Sequence, residues 1–555
     1  MSNASAATNG APTFFAVGDK REFDPENWTP KSNGNSNNNN NTANKHGEAF
    51  ELPERDTDTG IKVLIIGAGF AGLTAALECW RKGHEVVGIL ERNEGPNYSG
   101  DLIIIQPSAL EMMRYWPQMR RDLQHDKVVA GTYYYRHDGE LIDGPSVPNF
   151  NAPEFVAERA KRHPEGFPEA GAVQIRRKFY RMLLKQVACL GLRVEYGQRV
   201  ERYYEDDDAG EAGVVLADGS SRAAHVANPC LPLQPVVAAD GIRSRSEQLM
   251  SGKSDSGMEP SGMSVYRTAF PLEYALRDEM VRARWQGRHT YEFWMGSGMH
   301  IGLYMSDEVA ALGITPRDEF LDPDKLPRSE NWDPEVDPDE VIAVMRRAMA
   351  SAADKSDSAW HPVLEALVRT APKGSLIHWP LLWRNLKSDW VSEKTGRIVQ
   401  IGDSAHSTVP ASAAGGTLAL EDAVTLATCL RLAGVGDVAL ANRVYNLLRY
   451  ERASCTQKVA FVNAQTLGHT TDWDALRKNP EKARIRYPKW LFRHDPEAYV
   501  SEKWSEASEH LKKGTKFQNT NIPPGHTFSH WTIQDIHKQI AEGKRVQDLL
   551  DGDWS

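Results

Sequence analysis

The chain has 555 residues, 41% of them hydrophobic and 25% charged, with a formal net charge of -10 at pH 7. This length supports two or three domains with large cores, and an acidic balance without a long basic run argues against nucleic acid as the main partner. Five scattered cysteines without a C-x-x-C pair argue against a metal cluster or a disulfide framework, and no apolar run is long enough for a transmembrane span.

The opening "MSNASAATNG" has neither the basic start nor the apolar core of a signal peptide, so a reduced, cytoplasmic compartment is expected. Residues 1–58 are polar, broken by Pro and Gly, and contain the asparagine-rich tract "NGNSNNNNNTANK". Such a segment buries too little apolar surface to offset its ordering entropy. A disordered tail is expected, with folding beginning near Gly60.

The stretch "IKVLIIGAGFAGLTAALECWRKGHEVVGILER", Ile61 to Arg92, then reads as a strand, a glycine turn, a helix and a second strand. The glycines Gly67, Gly69 and Gly72 follow G-x-G-x-x-G spacing. The first permits a tight turn, the second lets backbone approach a pyrophosphate, and the third allows close helix packing. The helix start directs free N–H groups at the anion. Glu91, at the end of the second strand with Arg92 beside it, is placed to bind the adenosine ribose hydroxyls and would repel a 2′-phosphate. FAD or NAD is therefore expected over NADP at this turn.

Alternating strands and helices continue to about Met250, with a helix predicted over "RRKFYRMLLKQVACLG" and strands within "LRVEYGQRVERYYEDDDAGEAGVVLADGSSR". Asp218-Gly219 fits a hairpin turn. Asp240-Gly241 instead ends the apolar run "PVVAAD", at a strand's carboxyl end, where open α/β sheets place ligands. From about Gly262 to Trp390 the segments "MSVYRTAF", "HTYEFWMG" and "MHIGLYM" predict an antiparallel sheet, and residues 318–339 an acidic, proline-rich surface excursion. "GRIVQIGDSAH" predicts a strand ending at Gly402-Asp403, and "GGTLALEDAVTLATCLRLAG" a long helix. Beyond Thr471, "TIQDIHKQIAEG" is the clearest helix, with Thr532 as its N-cap.

The motifs "GAGFAG", "AADGIRSR" and "GDSAHSTVPASAAGGTLALEDA", in this order, make the chain resemble the single-component (group A) FAD-dependent aromatic hydroxylases, and most closely their salicylate-hydroxylase-like fungal branch. The resemblance implies an α/β fold. A Rossmann-type FAD-binding domain of the para-hydroxybenzoate hydroxylase type (59–255 and 393–470) would carry an inserted, mostly antiparallel β-sheet substrate domain (256–392) and a C-terminal helical extension (471–555). It also assigns the cofactor as FAD. Asp240 and Gly241 would serve the flavin and the approach of NADPH or NADH, Gly402 and Asp403 the ribityl and pyrophosphate region, and Arg176 the pyrophosphate, with Arg177 as rival. Gly415 and Gly416 would open a helix whose dipole could stabilise a reduced flavin. One departure stands out. Where the family commonly carries G-x-G-x-N, this chain has Ala414 to Leu418, lacking the first glycine and the asparagine.

The implied cycle reduces FAD with NAD(P)H, forms a flavin C4a-hydroperoxide with O2 and hydroxylates, epoxidises or oxidatively rearranges a small aromatic, terpenoid-like or alkaloid-like substrate. Candidate catalytic residues are Arg267, for a carboxylate or phenolate, His300 as base and Tyr304 as relay on one strand face, and Pro410 beside the flavin. Each has a plainer reading: an ion-pair arginine, packed strand residues and a loop proline. His406 reads as structural, and Tyr266, Phe293 and Trp294 as core or pocket wall. Competing readings are another FAD oxidoreductase (oxidase, reductase or halogenase, although the W-x-W-x-I-P halogenase signature is absent) and a non-catalytic, redox-sensing flavin binder. Monomer and homodimer both remain compatible with the sequence.

Overall fold

A computed structural model describes residue 28, residues 41–43 and residues 49–555 apart from 99, 129, 165, 168, 172, 207–210, 225–233, 252–256, 324–335, 352–358, 470–471, 486 and 545. A five-stranded parallel sheet runs in the order Ile398–Gln400, Val236–Ala238, Lys62–Ile66, Glu85–Leu90, Val194–Glu195. Strands covered on both faces read as continuous apolar runs, and Val63 to Ile66 are all buried. Two of the sheet's carboxyl ends, at Ile66 and Ala238, lead directly into the first two predicted motifs, and Gln400 leads into the third. The glycine-turn helix Phe70–Arg81 packs on the long helix Gly415–Ala433. The N- and C-terminal halves of the parallel-sheet domain thus close around one core.

The second sheet has seven strands in the order Ile377–Arg384, Met258–Pro271, Val309–Pro316, Met299–Met305, Thr290–Gly296, Gly131–Arg136, Leu141–Ser146. All neighbours are antiparallel except Thr290–Gly296 with Gly131–Arg136. This corrects the expected domain division, because two strands come from the segment before residue 256. "GTYYYR" is visibly strand-like, but its pairing with a segment far along the chain is a non-local fact that periodicity does not carry. Side chains alternate across the sheet. Met299, Ile301, Leu303 and Met305 face a cluster shared with the helices Pro338–Ala350 and Pro362–Thr370. Tyr291, Phe293 and Tyr304 face the core of the parallel-sheet domain.

The strands Val200–Asp206, Glu211–Leu216 and Ser221–Ala223 form a separate small sheet. Asp218-Gly219 makes its turn, with Gly219 at φ +84° and the Asp218 carboxylate accepting from the Ser220 amide at 2.9 Å.

The N-terminal boundary lies earlier than Gly60. Ala49–Glu51 pairs with Asn41–Ala43, Phe50 is buried, the Asp56 amide donates to the Arg81 carbonyl at 2.8 Å, and Arg431 donates to the Thr57 carbonyl at 2.6 Å. These residues are polar in composition but are held by backbone groups that composition cannot reveal. The rest of the expected tail, and residues 324–335 of the expected acidic excursion, lie outside the described residues.

At the C-terminus, Thr532 caps the helix Ile533–Ala541 in a reciprocal capping box with Asp535. Among the described residues no single helix is long and apolar enough to cross a membrane. The bent pair Gly415–Ala433 and Val435–Ala464, meeting at 107°, passes by composition together, and the first of these helices is buried along most of its length.

Candidate active site

The three glycines of the first turn sit in different surroundings. Gly67 has φ +104°, and a Cβ there would lie 2.3 Å from the Ala239 carbonyl oxygen. A Cβ on Gly72 would lie 1.9 Å from the Gly67 oxygen. Gly69 is different: its φ is an ordinary -79°, and nothing of the protein lies within 4 Å of where its Cβ would be. Its bare face opens onto a cleft of about 680 Å³, which Glu91, Arg92, Arg176, Asp240 and Gly241 also line. Glu91 accepts from the amides of Ala68 and Asn93, both at 3.0 Å, which fixes its carboxylate beside the turn.

Gly69, Arg176 and Gly241 also line a second cavity of about 530 Å³, so the two spaces adjoin. The Arg176 guanidinium lies 5.3 Å from the Phe70 ring centroid and 5.8 Å from that of Tyr180, and it donates to the Asn97 carbonyl at 3.3 Å. Burial lowers its pKa to about 10, leaving it cationic at neutral pH. Arg177, its rival from sequence, lines neither space.

The second and third motifs are tied together by Ser404. Its hydroxyl donates to Asp240 Oδ1 at 3.3 Å and accepts from the Gly241 amide at 2.9 Å. Burial raises the Asp240 pKa, opposed by hydrogen bonds from Ser244, Tyr203 and the Arg245 amide. Asp403 is exposed on the wall of the second cavity, where desolvation by the surrounding protein raises its pKa against the lowering influence of His406 and Arg384. His406 is buried against Asp422 and lines neither space, as a structural residue would.

Gly415 and Gly416 line the second cavity as the first two residues of the helix Gly415–Ala433, whose N-cap Ala414 offers no side-chain cap. The helix start therefore presents free amides and its positive dipole end to the cavity. A Cβ on Gly416 would lie 2.6 Å from Ile103 Cδ1. The glycine missing from the family pattern falls on Ala414, whose φ of -139° any residue adopts; the left-handed position is Ala413, at φ +48°. Pro410 opens the short turn Pro410–Ser412 on the cavity wall.

Of the expected catalytic group, Arg267, His300 and Pro410 line this cavity and Tyr304 does not. Tyr304 shares the strand face of His300 but is buried in the core, and burial pushes its phenol up to about 12. Arg267 forms an ion pair with Asp101, while its Nε has no hydrogen-bond partner. His300 sits opposite Thr315 on the neighbouring strand, and its Nδ1 has no partner. The near-neutral pKa expected for it is also displaced, because burial pushes the imidazole down to about 4. His300 is thus a neutral hydrogen-bonding group at pH 7 and a weak base.

Sequence reading missed Asp101, Thr315 and Tyr291 on the cavity wall. Asp101 carries no motif, and only its pairing with Arg267, 166 positions away, reveals it. Phe293 lines the cavity, whereas Trp294 and Tyr266 belong to the core on the sheet's other face.

The joined spaces suit FAD on grounds of the protein alone. An unobstructed glycine face, a half-buried arginine and two uncapped helix starts match a pyrophosphate. Glu91 and Asp403 bring to these walls carboxylates of the kind that accept from sugar hydroxyls.

Comparison with known proteins agrees. The FAD binding domain family matches residues 60–442. The chain is 64% identical over 526 residues to "FAD-dependent monooxygenase nsrK" of Aspergillus novofumigatus (strain IBT 16806), covering 93% of this chain and 97% of that protein. It is 52% identical over 550 residues to "FAD-dependent monooxygenase AacuC" of Aspergillus aculeatus (strain ATCC 16872 / CBS 172.66 / WB 5094), covering 98% and 99%. A structure described as "Salicylate hydroxylase substrate complex" shares the fold, with a TM-score of 0.57 at 20% identity over 79% of this chain and 96% of that one. Glycine turn, joined cavities and sequence kinship lead to one assignment: the chain belongs to the FAD binding domain family and is an FAD-dependent monooxygenase of the group A type.

Proposed function

We propose that the enzyme consumes NADPH or NADH and O2 to hydroxylate a small aromatic substrate, seated between the seven-stranded sheet and the flavin. The observation that carries this reading is a single cavity lined both by FAD-cradle residues (Gly69, Asp403, Gly415) and by sheet residues with free hydrogen-bonding capacity (Arg267, His300). Bound FAD would supply hydride acceptance from the nicotinamide and oxygen activation.

The chain's own residues orient the substrate and exclude water. Neutral His300 can accept a phenol O–H at its unprotonated ring nitrogen, holding the ring without first losing its own proton. The Arg267–Asp101 pair offers a guanidinium on the cavity wall to a carboxylate or phenolate, with Asp101 compensating its charge. Tyr291, Phe293 and Val409 form apolar walls that keep bulk water out. The start of the helix Gly415–Ala433 favours negative charge that develops beside it. The four described cysteines are buried free thiols, which supports a reducing compartment such as the cytoplasm.

The test is anaerobic mixing of the yellow holoenzyme with NADPH or NADH, alone and with phenols, hydroxybenzoates and indoles. Bleaching of the flavin that accelerates with at least one aromatic supports the reading. Equal rates with every compound would favour a plain oxidase or reductase.

A further inference from the structure

Beside the flavin cavity lies a second chamber, of about 80 Å³. It shares His300, Thr315, Val409, Pro410 and Ala411 with the flavin cavity, so the two adjoin along this wall. Its remaining walls are mostly apolar: Leu381 and Trp383 of the edge strand, Phe461 and Ala464 of the helix Val438–His469, and Ile533 of the C-terminal helix. His537, one turn after Ile533, stands exposed at the rim.

The C-terminal helix is fixed there. Ile533 and Ile536 are buried with Trp383 and Phe461, and Ile540 packs against them at the same helical spacing. Asn385 Oδ1 accepts from the Ile533 amide at 3.0 Å, Asn385 Nδ2 donates to Gln534 Oε1 at 2.8 Å, and Gln534 donates to Glu259 at 2.6 Å. These bonds bind the helix to the strand Met258–Pro271 and to the residue just after the edge strand. It is therefore a wall, and it lies beyond residue 442, where the match to the FAD binding domain family ends.

We infer that this chamber is a distal subsite for an apolar extension of the substrate, a second fused ring or a short alkyl arm, and that Ile533 and Ala464 set which extensions are admitted. The inference rests on the proposed aromatic substrate in the adjoining cavity. His300 lines both spaces, and its imidazole would hold the reacting ring's hydroxyl there. Beyond it the lining offers mainly hydrocarbon, and the space suits part of a ring system more than a whole second molecule. An apolar pocket of this kind discriminates by fit, roughly ten-fold or more per added group.

Phenol and 1-naphthol differ by one fused ring and serve as probes. Their binding to the holoenzyme is read from the perturbed flavin absorbance, with FAD content and melting temperature recorded for every variant. The expected result is that 1-naphthol binds the wild type at least ten-fold more tightly than phenol. Ile533→Trp and Ala464→Phe, which fill the chamber from two different helices, should bring that ratio near one while phenol affinity stays within about two-fold. One variant with unchanged FAD content and melting suffices. An unchanged ratio in such a variant, or a wild type that binds 1-naphthol no better than phenol, overturns the inference. Coenzyme oxidation measured on the same samples separates the two proposals, since a loss of ligand stimulation speaks against the hydroxylase reading and leaves the binding ratio to judge the chamber.

Discussion

The Gly402 amide donates to the Asp422 carboxylate across 2.8 Å, joining the Gly402-Asp403 turn to a buried helix 20 positions further on. Asp422 also takes Arg449 Nε at 2.7 Å and pairs with His406, while Arg449 and Arg452 share Glu421. All of these groups are buried, and His406, Arg449 and the Gly402 amide hold the Asp422 carboxyl below its ordinary range. The network carries no chemistry of its own, but it fixes the backbone that presents Asp403 to the cavity.

Breaking a buried ion pair from one side leaves the other charge uncompensated, at a cost of about 3–5 kcal/mol. Asp422→Ala should therefore lower stability by roughly 3 kcal/mol and weaken FAD retention, whereas Asp422→Asn, which can still accept from Gly402, should lose less of both. Denaturant titration and flavin release by ultrafiltration check this. Equal loss in the two variants would show that the Gly402 hydrogen bond is irrelevant to the turn.

Gly69 and Gly72 should fail in different ways. A Cβ at position 72 meets the Gly67 oxygen at 1.9 Å, so Gly72→Ala must displace backbone and should compromise folding. A Cβ at position 69 meets no protein atom. Gly69→Ala should keep the apoprotein within about 1 kcal/mol of the wild type, the size of a helix N-cap effect. It should nevertheless weaken FAD binding by ten-fold or more, about 1.4 kcal/mol. Apoprotein melting with FAD titration separates the outcomes, and tight FAD binding by Gly69→Ala would remove the pyrophosphate from this turn.

Much of this cradle was legible in sequence because a strand, turn, helix and strand are contiguous, and each glycine's role follows from local geometry. The sheet's two extra strands were not legible, since Gly131–Arg136 finds its partner only through long-range pairing. Nor was the burial that lowers the His300 pKa, or the core position of Tyr304. Alternation correctly put both on one face but could not say which end of that face meets the cavity. Arg267 illustrates the same limit, as its guanidinium was visible and its partner Asp101 was not.

His84 offers a pH test remote from the cavity. It is fully buried between Thr59 Oγ1 at 2.7 Å and the Ala427 carbonyl at 3.1 Å, and burial lowers its pKa to about 4. The unfolded imidazole, with pKa near 6.5, binds a proton that the folded one refuses. Its contribution to stability is therefore fully present above about pH 6.5 and is lost as pH falls toward 4, at up to ~1.4 kcal/mol per pH unit. Against His84→Gln, the wild type should lose stability more steeply across that window. Parallel curves would contradict a buried neutral His84.

His300 should act without titrating near neutrality. With its pKa near 4, it predicts no activity limb near 6.5 that disappears in His300→Gln, while His300→Phe, which removes the hydrogen bond and keeps the bulk, should lower kcat/KM by roughly ten-fold, about 1.4 kcal/mol. A pH–rate profile of the three proteins decides, and a limb near 6.5 unique to the wild type would restore His300 as a general base.

The most direct measurement of the whole account is turnover of the holoenzyme with NADPH or NADH and an aromatic that bleaches its flavin, under isotopically labelled dioxygen, with product mass as readout. The account predicts one labelled oxygen atom in the product for each coenzyme oxidised. Coenzyme oxidation that yields only peroxide with every aromatic that binds, or product oxygen drawn from water, would contradict it.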